Sequence, residues 1–210
     1  MLELLTGAGL ASAAGLNAYI PLLAVGLIAR YTELLTLGPG WQWLEHPAVL
    51  VLLGVLLALE LVADKIPAVD SVNDVVQTFV RPTSGGLTFG AGAAAVDTAD
   101  IASASTGDGS WWPILSGVVI ALVFHGLKAL ARPVLNTVTL GTGGPVISTI
   151  EDICSAVMSV LAILVPILLL VLLPLTVAGG VLLWRRRRRG AAAVKAGPAA
   201  DTDPDPTGGV

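Results

Sequence analysis

The stretch "VLVLLGVLLALELVADKIPAVDSVNDVVQTFVRP", residues 49–82, changes character halfway along. Up to Val62 it reads as the inside of a membrane, with Glu60 its only charge. Beyond Ala63 it crowds together Asp64, Lys65, Asp70, Asp74 and Arg81. On a helix running from Pro67, the residues Val69, Val72, Val76, Phe79 and Val80 share one face, while Asp70, Asn73, Asp74, Gln77 and Arg81 share the other. Pro67 suits a first helical turn, Asp70 suits the positive end of the helix dipole, and Pro82 is expected to end the segment. Two readings stay open. The helix lies at the membrane surface with its charges in water and headgroups, or its polar face lines a cavity between helices.

Composition selects lipid as the solvent. Of 210 residues, 55% are hydrophobic and 12% charged, against roughly 25% charged in an ordinary soluble domain. The long uncharged runs leave too few polar residues for a wetted surface. The net charge of -4 says little about partners, because five of the eleven basic residues are Arg185 to Arg189. Nucleic-acid binding is therefore not expected. One cysteine, Cys154, and two histidines, His46 and His125, provide neither a disulfide framework nor zinc-ligand spacing, so no metal or cofactor is expected. The start "MLELLTGAGLASAAGLNAYIPLL" lacks the positive region of a signal peptide, and its uncharged run from Leu4 to Ala29 is too long for one. It reads as a retained first membrane segment.

Crossing the hydrocarbon takes about 20 apolar residues in a helix. Residues 8–29, 111–130 and 153–184 meet or approach that length, and Pro47 to Ala63 is a shorter fourth candidate. The expected fold is an all-α polytopic bundle of four crossings. "GGLTFGAGAAAVDTADIASAS", residues 85–105, is only mildly apolar and carries Asp97 and Asp100, so it is expected as a short re-entrant or interfacial helix. Its Gly86, Gly90 and Ala94 form a small face suited to close helix approach. With Arg185 to Arg189 inside, four crossings put eight of the eleven basic residues on the cytoplasmic side, and five crossings put seven there. Pro47 and Pro67 bracket one apolar segment as Pro113 and Pro133 bracket another, an arrangement suggestive of an internal repeat. The chain divides into a membrane domain, residues 1–184, and a polybasic stop with a disordered cytoplasmic tail, residues 185–210. The tail's Asp201, Asp203 and Asp205 mimic the opening of a calcium loop but lack its glycine and closing Glu.

Several residues are candidates for a polar site. Glu60 and Asp64 share a helical face, with Glu60 inside the apolar run. Asn17 sits mid-segment, four residues before Pro21, whose missing N–H frees a backbone carbonyl. His125, Lys128 and Arg132 form a basic stripe that suits snorkelling to headgroups. In "STIED", residues 148–152, Ser148 and Glu151 have capping-box spacing, with Asp152 beside them. No phosphate-binding loop, H-E-x-x-H or G-x-S-x-G occurs, which makes enzyme the weaker class, with no catalytic residues to name.

Ala63 to Pro67, Val69-Asp70, and Thr78 to Pro82 followed by Gly85 and Gly86 resemble the signature of a bacterial membrane family catalogued as domain of unknown function 4126. "GLNAYIPLLAVGLIAR" and the late Ser148, Glu151 and Asp152 are similar to its other blocks, so the resemblance covers roughly residues 5 to 175. It implies an integral protein of the bacterial plasma membrane, and it draws attention to Asp64, Lys65, Asp70, Arg81, Glu151 and Asp152 without bringing an activity. The expected function is a small transporter or channel-like protein for an ion, proton or small polar solute, with Asn17, Glu60, Asp74 and those six residues forming its site. The rival is a scaffold or assembly subunit whose charges pair statically. Expected partners are membrane lipids, an unidentified solute or ion and, since short crossings enclose little volume, further copies of the chain. The C-terminus is expected to be cytoplasmic.

Overall fold

The computed structural model describes residues 2–95, 111–138, 144–169, 171–179 and 181–182, and within these the side chains at 67, 68, 70–72, 74 and 131–138 lie outside the description. Among the described residues all regular structure is helical. The six longer helices are α1 (Leu2–Leu16), α2 (Tyr19–Tyr31), α3 (Pro47–Ala63), α4 (Pro67–Ala95), α5 (Trp112–Val138) and α6 (Gly144–Leu164). Short 3-10 turns lie at Gln42–Glu45 and Pro166–Leu168.

Local chemistry sets several of these boundaries. His46 Nδ1 accepts the Ala48 N–H (3.3 Å), and Pro47 opens α3 with a fixed φ and no orphan donor. Asn17 interrupts what would otherwise be one N-terminal helix: its Oδ1 accepts the N–H groups of Tyr19 (3.0 Å) and Ile20 (3.1 Å), an N-cap for α2. Pro21 reinforces the break, because it cannot donate to the carbonyl of Asn17.

Helix α1 is the centre of the bundle. Every residue from Gly9 to Gly15 is buried, and α1 packs on α4, α5 and α6. Close approach depends on absent side chains. A Cβ on Gly15 would stand 2.6 Å from the Ala121 carbonyl oxygen, one on Gly85 would collide with the Ala121 methyl group, and one on Gly117 would collide with the Gly85 carbonyl. Small residues therefore let α1, α4 and α5 meet backbone to backbone, the packing mode available where lipid removes the hydrophobic drive between helices.

The outward faces are apolar and the inside is polar. On α6, Val146, Ile150, Ile153, Val157, Val160 and Leu164 recur at spacings of three and four and are all exposed. On its opposite side Ser148, Asp152, Ser155 and Ser159 are buried. Helix α3 likewise exposes Val51, Val55, Leu59 and Val62 while burying Glu60. An apolar exterior around buried polar groups is the arrangement expected of a protein solvated by lipid.

Four crossings are not what the structure contains. Among the described residues two helices are long and apolar enough to span, Trp112–Leu130 (19 residues) and Gly144–Leu164 (21 residues), and only 22% and 33% of them is buried. The expected span at 8–29 is divided at Asn17. The candidate at Pro47–Ala63 is 17 residues long, short of the hydrocarbon thickness. The run at 153–184 belongs in its first part to a helix beginning at Gly144 and is interrupted at Val165 by the Pro166–Leu168 turn.

The short re-entrant or interfacial helix is also overturned, because residues 67–95 form one helix that continues through Pro82. The proline forfeits the bond to the Thr78 carbonyl. Just beyond it, the Thr83 hydroxyl donates to the Phe79 carbonyl (2.9 Å) and the Ser84 hydroxyl to the Ala18 carbonyl, which ties this stretch of α4 to the α1–α2 break. Asp97, Asp100 and the proposed tail with Arg185 to Arg189 lie outside the described residues.

Candidate functional site

Several of the polar groups singled out in sequence gather around the Asn17 break. Asn17, wholly buried, donates through Nδ2 to Asp152 Oδ1 of α6 (2.9 Å) while its Oδ1 caps α2. The end of α1 contributes backbone carbonyls, and Ala13 O accepts the Asn17 N–H (3.0 Å) as well as a side chain. Leu16 O accepts Lys128 Nζ (3.1 Å) and Ala13 O accepts the Ser155 hydroxyl (2.9 Å). A helix C-terminus carries partial negative charge, which suits the Lys128 ammonium. Lys128 also lies 2.8 Å from Glu151 Oε2. Only 5% exposed, it does not snorkel to headgroups as its position near the end of an apolar run suggests.

Arg81 and Glu60 form the second part of the cluster. Arg81 Nη2 lies 3.2 Å from Glu60 Oε1, with both side chains almost completely enclosed. Arg81 Nη1 stands 3.4 Å from His125 Nδ1, and His125 Nε2 stands 3.4 Å from Thr78 Oγ1. Because a guanidinium only donates, Nδ1 is the accepting nitrogen in this contact. Tyr19 at the start of α2 adjoins Gln77, Glu60 and Arg81. The helix break therefore touches both parts of the cluster.

Asp64 links them. Its Oδ1 accepts Asn73 Nδ2 (2.8 Å) and its Oδ2 accepts the Ser148 hydroxyl (3.0 Å). Ser148 is thus inside α6, which begins at Gly144, and the capping-box reading of Ser148 and Glu151 gives way to two lateral contacts, with Asp64 and with Lys128. Lys65 is peripheral: it is exposed, with Nζ 3.4 Å from Thr149 Oγ1. Asp70 and Asp74 lie on the backbone of α4, but their side chains are outside the described residues, as is that of Arg132.

Four side-chain atoms of this cluster are buried without a hydrogen-bond partner among the described residues: Glu60 Oε2, Gln77 Oε1, Arg81 Nε and Asp152 Oδ2. Unmet polar atoms in low dielectric are costly and concentrate at working sites. Beside the cluster runs an apolar groove of about 730 Å³, lined by Phe124, Leu127, Ile150, Val157 and Leu161, which reaches the polar groups only at Lys128 and Glu151. Among the described residues no group of three His, Cys, Asp or Glu could hold a metal ion.

Sequence reasoning passed over Gln77, Ser148 and Ser155 as site residues. The signal for the two serines was present: Ser148, Asp152, Ser155 and Ser159 form a polar stripe at spacings of three and four through an otherwise apolar helix. Comparison with known proteins bears on the chain as a whole. No curated protein and no solved structure matches it. The family described as domain of unknown function DUF4126 matches residues 4–186. On a match of that extent, the chain belongs to the DUF4126 family of bacterial membrane proteins.

Proposed function

We propose that this membrane protein is a small transporter or channel-like protein that passes an ion, proton or small polar solute through the buried cluster at the Asn17 break. The observation that carries the reading is the juxtaposition of a discontinuous helix, α1 and α2, with charged side chains from α3, α4, α5 and α6. Broken helices present N–H and C=O ends to a transported species at mid-membrane depth without a separate binding domain. The polar atoms left without partners supply further contacts for it. A static scaffold would be expected to close such atoms off, since each costs roughly 1–3 kcal/mol when buried and unmet.

The test is a cysteine scan from residue 60 to 82 in a Cys154→Ala background, because Cys154 is an exposed free thiol. Cells and inverted vesicles are labelled with a membrane-impermeant thiol reagent. Labelling with helical period on the Asn73, Gln77 and Arg81 face, extending to residue 60, supports an aqueous pathway. Reactivity that stops near residue 66 on both sides rejects transport in favour of the scaffold.

A further inference from the structure

The four unpartnered atoms of the cluster are unequal in kind. Glu60 Oε2, Gln77 Oε1 and Asp152 Oδ2 are acceptors, and only Arg81 Nε is a donor. Their residues are 3%, 2%, 8% and 0% exposed, in that order. The shortage is therefore of hydrogen-bond donors. Asp64 differs from its neighbours in having both oxygens engaged.

This bias narrows what the site takes. An anion brings more acceptors and leaves the shortage in place. A metal cation requires several oxygens converging on one point, and among the described residues no group of three His, Cys, Asp or Glu supplies them. Lys128 and Arg81 also bring fixed positive charge to the same space. A proton needs no cage: added to one carboxylate oxygen, it turns an unmet acceptor into a donor. Charge counting agrees. Glu60, Asp64, Glu151 and Asp152 oppose Arg81 and Lys128, four negative against two positive among the enclosed side chains, with Lys65 at the exposed edge, so taking up a proton moves the cluster toward neutrality. Neutrality is favoured wherever charge is held away from water.

On the transport reading above, we infer that the species handled at this cluster is the proton, held in turn by Glu60 Oε2 and Asp152 Oδ2. The groups facing Glu60 are Arg81 of α4, Lys128 of α5, Tyr19 of α2 and its own neighbour Asp64. Those facing Asp152 are Asn17 of the α1–α2 break, Lys128 of α5, and Asp64 and Lys65 from the α3 end. His125 joins through Arg81. In the binding step a hydronium ion from the aqueous side gives its proton to the Glu60 carboxylate and leaves as water. The Arg81 charge formerly balanced by Glu60 then faces the remaining carboxylates; the proton passes to the Asp152 carboxylate, which restores the ionised Glu60 beside Arg81, and Asp152 gives it to a water molecule on the other side, which leaves as hydronium.

The experiment is infrared difference spectroscopy on the full chain in lipid vesicles, stepping the pH between about 5 and 9, with Glu60→Gln and Asp152→Asn as variants. A carboxylic-acid carbonyl signal that titrates in the wild type, loses one component in each variant and vanishes in the double variant supports the inference. Carbon-13 labelling of the glutamate side-chain carboxyls in the unaltered protein reports the same component by its isotope shift, so the outcome does not depend on how the variants fold. No titrating carboxyl signal, or one that neither the isotope nor the substitutions move, overturns the inference. The transport reading is judged separately by the cysteine scan. A water-accessible face with no titrating carboxyl leaves transport standing with a different cargo, and a closed face removes both.

Discussion

Replacing Arg81 by Met removes the guanidinium that reaches Glu60 among the described residues while keeping an unbranched side chain. Glu60 Oε1 then loses its 3.2 Å partner at a site where its side chain is almost wholly enclosed. Two routes bound the cost. Leaving the carboxylate ionised and alone costs about 3–5 kcal/mol, the usual penalty for breaking one side of a buried pair. Taking up a proton at pH 7 costs about 1.36 × (7 − 4.3), or about 3.7 kcal/mol, starting from an ordinary glutamate. The protein follows the cheaper route, so Arg81→Met is expected to lose about 3–4 kcal/mol at pH 7.

The pH dependence is the sharper part. In the variant the folded chain holds a proton on Glu60 that the unfolded chain releases near neutrality, so stability falls as pH rises. Against a wild type whose Glu60 stays ionised, the deficit shrinks by about 1.4 kcal/mol per pH unit, to about 2.3 kcal/mol at pH 6 and about 1 kcal/mol at pH 5; it stops shrinking below the pH at which the wild-type Glu60 itself takes up the proton inferred above. Reversible unfolding in mixed micelles at the three pH values measures it. Arg81→Met/Glu60→Gln is expected to recover most of the loss, because neither charge remains. A variant as stable as the wild type at pH 7, or a loss that ignores pH and is not rescued by the second substitution, refutes the pairing as the reason these residues are buried together.

Other substitutions probe the packing and the break. Asn17→Leu removes the α2 cap and the donor to Asp152 together, for an expected loss of about 2–4 kcal/mol by the same unfolding measurement. Gly117→Leu drives a side chain into the Gly85 carbonyl and is expected to cost at least 1–3 kcal/mol, seen as a lowered melting temperature. Gly54→Ala, where an added methyl group meets nothing within 4 Å, is expected instead to stabilise α3 by roughly 0.5–1 kcal/mol. Lys65→Ala, at the exposed edge of the cluster, is expected to stay within about 0.5 kcal/mol of wild type.

How far the sequence could be read follows from what hydropathy measures, which is fitness to face lipid. It identified 111–130 and the first part of 153–184 because those helices do turn long apolar side chains outward. It undervalued residues 85–95, rich in Gly, Ala and Thr, because that half of α4 faces α1 and α5, where small side chains permit contact that Leu and Val would prevent. It overvalued residues 8–29 by averaging across Asn17. One polar residue leaves a window average nearly unchanged, yet here its side chain caps a new helix. The charges were found by position and their partners were not, since Asn17 and Asp152, or Asp64 and Ser148, lie too far apart in the chain for periodicity to join them. What joins them is the requirement, stronger in lipid than in water, that each buried polar atom meet another. The same requirement makes the unpartnered atoms of the cluster among the described residues, on Glu60, Gln77, Arg81 and Asp152, the ground for proposing that the protein engages something besides itself there.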